Sequence, residues 1–131
     1  LKDNCNQIYT TLSGGEKQRV QLARVFAQIW TKGSYENKVL IMDEPTSFLD
    51  IKHELLLFDF IEELNKQGLT IIMVVHNISK ALIVSNKIAI LKASKLIAYG
   101  FTDKIINNEV LKSVFGVNFN LNILSQKSVY M

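Results

Sequence analysis

The sequence contains a single cysteine, Cys5, among 131 residues, so no disulfide can close within it. That agrees with a reducing compartment without proving one, and Cys5 reads as a bystander rather than a nucleophile. Proline is equally scarce. Pro45 stands alone, and it stops an apolar run, because proline cannot donate to a strand ladder. No uninterrupted apolar stretch approaches the roughly 20 residues that a membrane span needs. The polar start Leu1-Lys2-Asp3-Asn4 does not read as a signal peptide. Charge of one sign is scarce too. Fifteen Lys and Arg against 12 Asp and Glu leave a net charge of +3, and the lysines are spread among acids, so nucleic-acid binding gains no support. The chain has no initial Met and no G-x-x-x-x-G-K-[ST] loop.

What is present is apolar enough to fold. An apolar fraction of 48% permits a packed core and argues against disorder, and the length suits one domain or part of one. The most informative run is Leu12-Ser13-Gly14-Gly15-Glu16-Lys17-Gln18-Arg19-Val20. Ser13 can cap a helix through its hydroxyl, and the glycines let backbone approach a ligand closely. The first N–H groups of such a helix have no partner inside it, and the helix dipole adds positive charge there. An anion, most simply a nucleotide phosphate, is the natural guest, although an ordinary loop-to-helix junction looks the same.

Periodicity then orders the chain. A helix is expected from about Gly14 to Thr31, with Leu22, Val25, Phe26 and Ile29 as its buried stripe and Trp30 in core or interface packing. A polar connection covers 31–37. Val39-Leu40-Ile41-Met42 reads as a strand buried on both faces. It leads to Asp43-Glu44-Pro45 and a turn, Thr46 to Asp50. A helix at about 51–67 should bury Leu57, Phe60, Ile61 and Leu64 and turn Glu54, Asp59, Glu62 and Glu63 outward, with Gly68 as its stop. Thr70 to Val75 is the second buried strand, giving a βαβ unit expected to cross over right-handed. A short helix at 78–85, strands at 87–92 and 95–100 forming a hairpin, and a helix at 108–115 ending at Gly116 follow. The tail 117–131 is either one more strand or frayed.

In α/β sheets ligands gather at the carboxyl ends of strands, where Asp43-Glu44 and His76 fall. Neighbouring strand residues point to opposite sides, so the two acids serve different targets. Phosphoryl transfer offers two: Mg²⁺ for Asp43, through its water shell, and the attacking water for Glu44. Taken alone, the two residues read more readily as a pair of solvated acids at a turn, and a lone His at a strand end is usually structural.

Leu12 to Glu16, continued by Gln18-Arg19-Val20-Gln21-Leu22-Ala23-Arg24-Val25, resembles the signature segment of ABC-type ATPases. Asp43-Glu44 resembles the Walker B end, Ser47-Phe48-Leu49-Asp50 the D-loop and His76 the switch histidine, in the family's order. The likeness covers roughly residues 8–116. It implies an α/β fold, the C-terminal portion of a P-loop NTPase-like ABC ATPase domain, with parallel core strands, crossover helices and a short terminal hairpin, and without the Walker A half. Residues 1–131 would then form a partial nucleotide-binding domain, inactive by itself. The resemblance makes Glu44 and His76 catalytic and assigns Asp43 to Mg²⁺. It sets Leu12, Ser13, Gly14, Gly15 and Glu16 against ATP held by a second copy of the subunit, and Ser47 and Asp50 at the dimer interface. It further implies membrane permease subunits, indirectly a substrate-binding protein, and a peripheral place on the cytoplasmic side of the bacterial inner membrane.

The chain departs from the family pattern at Phe48, where a small residue is commoner, at Asn77, where Asp is usual and which instead suits a helix cap, and at Lys92-Ala93-Ser94-Lys95, where a glycine turn is usual. His53 matches nothing and reads as a surface residue. The Ala27-Gln28-Ile29-Trp30 end looks most like haemin importer ATPases, and Leu111 to Val117 resembles the iron, siderophore, haem and cobalamin group. An ABC ATPase of DNA repair or chromosome organisation would show long heptad helices, and none is present.

Overall fold

The computed structural model describes residues 6–30 and 33–116. Cys5, the end of the expected first helix at Thr31 and the tail 117–131 lie outside the described residues. The chain divides into two compact units, Leu1–Val75 and His76–Met131.

The first unit is a βαβ unit with an additional helix. A single 3-10 turn, Tyr9–Thr11, leads to Leu12. Helix α1 runs Gly14–Ile29, strand β1 Val39–Asp43, helix α2 Ile51–Lys66 and strand β2 Thr70–Val74. The strands pair in parallel, Val39 opposite Thr70 through Asp43 opposite Val74. Helix α1 stops at Ile29, two residues short of the expectation, and Lys38 Nζ donates to the Ile29 carbonyl at 3.4 Å. A lysine there complements the negative end of the helix. Gly68, at φ +97°, ends α2 as expected, with the Leu69 N–H on the Leu64 carbonyl.

The core of this unit is Tyr35, Leu40, Met42, Leu57, Ile61, Leu64 and Leu69, with Leu22, Val25, Phe26 and Ile29 of α1 packed against it. The Phe26 and Phe60 rings meet edge to face at 4.8 Å and join α1 to α2. Several expectations need correction. Tyr35, placed in a polar connection, is a buried core residue whose N–H bonds the Gln67 carbonyl. Glu54, expected outside, is buried, because helical spacing puts it on the same face as Leu57, Ile61 and Leu64. The strands are buried on one face only. Leu40 and Met42 belong to the core with Ile71 and Met73 packed against it, whereas Ile41 is 71% and Ile72 53% exposed, with Val39 and Val74 on the same open face. Trp30, expected in core or interface packing, is exposed and so lies outside the core.

The second unit holds α3 (Ile78–Val84), β3 (Lys87–Lys92), β4 (Lys95–Phe101), α4 (Thr102–Ile105) and α5 (Asn108–Phe115). Asn77 caps α3 by accepting the Lys80 N–H, and Gly116 closes α5 at φ +74°. β3 and β4 form the expected antiparallel hairpin, with a register shift between Ile90 and Leu91. The one-turn α4 was not anticipated. Its first residue, Thr102, is buried and donates its hydroxyl to the Ser85 carbonyl at 3.0 Å.

The hairpin loop is Ala93-Ser94, at φ +47° and +60°. Two positive φ values are the pattern of a type I′ turn, which Asn-Gly adopts at low cost and alanine does not. Replacing the pair together, Ala93→Asn with Ser94→Gly, should therefore raise stability by about 1 kcal/mol, read as a higher denaturant midpoint with an unchanged slope.

Candidate nucleotide-facing site

The first unit brings together the tip of α1 and the turn between β1 and α2. Ser13 caps α1 in a reciprocal box. Its hydroxyl oxygen accepts the Glu16 N–H at 3.3 Å while donating its own hydrogen to Glu16 Oε2 at 2.7 Å, and the Ser13 N–H donates to that oxygen at 2.8 Å. The Glu16 carboxylate thus already sits as an anion on the tip. Gly14 and Gly15 lie in the first turn, where an α-helix supplies no partner for its N–H groups. Leu12 is buried, which leaves its backbone rather than its side chain to face a ligand.

Glycine at position 15 is required sterically. A Cβ there would stand 2.8 Å from the Phe48 carbonyl oxygen, whereas one on Gly14 would rest 3.8 Å from the Phe48 ring. Gln18, also on α1, donates from Nε2 to the Pro45 carbonyl at 3.0 Å. Tyr9, Gly14, Lys17, Gln18, Gln21 and Phe48 line a shallow pocket of about 220 Å³ beside the tip.

Glu44 follows the end of β1. Its N–H still bonds the Val74 carbonyl at 3.0 Å, yet its φ is +45°, a left-handed conformation that is costly for a non-glycine residue. The expected strand alternation of Asp43 and Glu44 therefore stops at Asp43. The Ser47 hydroxyl donates to Glu44 Oε2 at 3.2 Å, and the Ser47 N–H to the Glu44 carbonyl at 3.1 Å. Ser47, expected at a dimer contact, is thus a hydrogen-bond partner of Glu44. The sequence signal for this was the three-residue spacing across Pro45. Phe48 is at φ +65° and 80% exposed.

Asp43 is exposed at the carboxyl end of β1. Among the described residues, no group of three or more His, Cys, Asp or Glu could hold a metal. A lone carboxylate still suits Mg²⁺, which keeps several waters and takes one or two carboxylates plus phosphate oxygens. His76 lies in the second unit, exposed on the bend between β2 and α3. Asp50 caps α2, accepting the His53 N–H at 2.8 Å, with His53 Nδ1 2.7 Å from the same oxygen. His53, read as a plain surface residue, is the partner of Asp50. The backbone N–H of His53, then its ring, hold the Asp50 carboxyl below its ordinary range, and Arg19 adds a weaker attraction.

Comparisons with known proteins bear on the family and the fold. A family profile described as ABC transporter matches residues 1–47. A hemin import ATP-binding protein of Gloeobacter violaceus is 38% identical over 85% of this chain and 40% of its own length. A petrobactin import ATP-binding protein of Bacillus anthracis is 35% identical over 95% of this chain and 43% of its own length. The chain thus spans under half the length of both. The solved ATP-binding cassette MJ1267 of an ABC transporter superposes with a TM-score of 0.67 at 21% identity, covering 88% of this chain and 44% of that one, which supports the fold. The chain belongs to the ABC transporter ATP-binding family.

Two outcomes follow from the geometry. Gly15→Ala should cost about 1–3 kcal/mol in denaturant unfolding, since the new methyl meets backbone that has no rotamer to yield. The Asp50 interaction is fully present above the unfolded carboxyl value of 3.8 and lost as pH falls through the lower folded value. The thermal midpoint should therefore drop more steeply on acidification in the unaltered protein than in Asp50→Asn, which keeps a capping oxygen without the charge.

Proposed function

We propose that these residues serve the ATP-hydrolysing subunit of an ABC importer, and that the transported molecule is haemin. The observation that carries the catalytic part is the carboxylate of Glu44. It is held at the carboxyl end of β1 by Ser47 and tied through its turn to the Ser13–Gly15 tip. In this reading Glu44 accepts the proton of a water aimed at the terminal phosphate. The Ser13–Gly15 tip meets ATP bound mainly by a second copy of the subunit, and His76 orients phosphate and water. Asp43 holds Mg²⁺, which neutralises developing phosphate charge when bound. The exposed Phe48 and Asp50 belong to the face between the two copies, and closure of that face moves a membrane permease fed by a substrate-binding protein. Among the described residues no helix is long and apolar enough to cross a membrane, and a peripheral position on the cytoplasmic side of the inner membrane is part of the same reading.

The substrate rests on the Ala27-Gln28-Ile29-Trp30 end and on relatives whose names differ. One is a hemin and the other a petrobactin importer subunit. A siderophore or cobalamin importer is therefore the second reading.

In the full-length subunit assembled with its permease in vesicles, Glu44→Gln should lower ATP turnover at least about 100-fold while ATP binding and the ATP-dependent dimer persist. Uptake of labelled haemin should stop with it. Normal turnover in that variant would remove Glu44 from its role, and ATP-driven uptake of a siderophore or cobalamin in place of haemin would reassign the substrate.

A further inference from the structure

We propose that Gln18 is a positioning residue that transmits engagement of the Ser13–Gly15 tip to Glu44 through the Pro45 carbonyl, an inference that rests on the ATPase reading above. Gln18 stands on α1, one turn beyond the tip, and its amide reaches across 27 residues of sequence to Pro45 at 3.0 Å. Pro45 is buried and has no N–H, so this carbonyl is its sole backbone polar group. The pyrrolidine ring fixes φ, so Pro45 passes a displacement on rather than absorbing it. Its neighbour is Glu44, held in a left-handed conformation with its N–H on Val74 and its carboxylate on Ser47. At the far end of the same turn, the Phe48 carbonyl sits against Gly15. The turn is therefore gripped by α1 at two points, Pro45 and Phe48, with Glu44 and Ser47 carried between them. A shift of the tip on meeting one nucleotide moves the carboxylate that acts on the other.

The test uses the full-length subunit with its permease. Gln18→Glu keeps the shape but replaces the donor with an acceptor facing a carbonyl. It should lower kcat about tenfold, roughly the value of one hydrogen bond, with KM for ATP unchanged and only the modest drop in thermal midpoint that loss of one hydrogen bond brings. The deficit should shrink as pH falls, because a protonated carboxyl donates again. Adding Ser13→Ala should cost less in the Gln18→Glu background than in the unaltered one. Gln18→Ala, which adds no charge, should show the same kcat loss without the pH recovery, and it decides the matter should Gln18→Glu fail to fold. A normal kcat in folded variants overturns the proposal. So do strictly additive effects with Ser13→Ala, or kcat, KM and midpoint falling together with no pH recovery. If Glu44→Gln is inactive while Gln18→Glu is normal, this proposal alone falls. If Glu44→Gln turns over normally, the ATPase reading falls first.

Discussion

The contact of Gly15 with the Phe48 carbonyl sets the rest of the first unit. Only a residue without a side chain lets α1 lie so close to the turn that follows β1. That closeness brings Gln18 within reach of Pro45 and sets Arg19 near enough to Asp50 to bias its carboxyl. The α1 tip and the acidic turn are thus one body, although 27 residues of sequence separate Gln18 from Pro45. A larger residue at position 15 would force them apart.

The tip carries its own anion. Glu16 occupies both the hydroxyl and the N–H of Ser13, completing the cap and answering part of the positive potential there. On the proposed reading, a phosphate at this tip would compete with Glu16 for the Ser13 hydroxyl. The helix is therefore stable with no ligand, and the serine hydroxyl is exchangeable between two oxygen acceptors. The neighbouring helix uses the same device more simply, with Asp50 accepting from His53.

Apolar periodicity made most of the architecture legible. Leu22, Val25, Phe26 and Ile29 packed as their spacing required, and the two apolar runs around Leu40 and Ile72 became parallel strands. The hairpin and the helices closed by Gly68 and Gly116 were equally readable, because glycine and turn residues act locally. What escaped depended on position in three dimensions. An apolar run does not say which of its faces is covered, so the exposure of Ile41 and Ile72 was hidden. Tyr35 sits in a polar neighbourhood that conceals a buried ring, and Glu54 repeats the spacing of a stripe whose chemistry it lacks. In the site, the order of Ser13, Asp43, Glu44 and Asp50 was visible through resemblance. The left-handed backbone of Glu44 and its bond to Ser47 were not, because they follow from how the chain leaves the strand at Pro45.

The one-sided sheet has a thermodynamic consequence. Val39, Ile41, Ile72 and Val74 present wetted hydrocarbon on the back of the ribbon whose end carries Glu44. Anything that covers this surface in the native form alone is linked by mass action to the folding equilibrium. The stability of the strand pair that leads into Glu44 is then no fixed property of its own packing: it rises with occupancy of a surface on the reverse side of the strands.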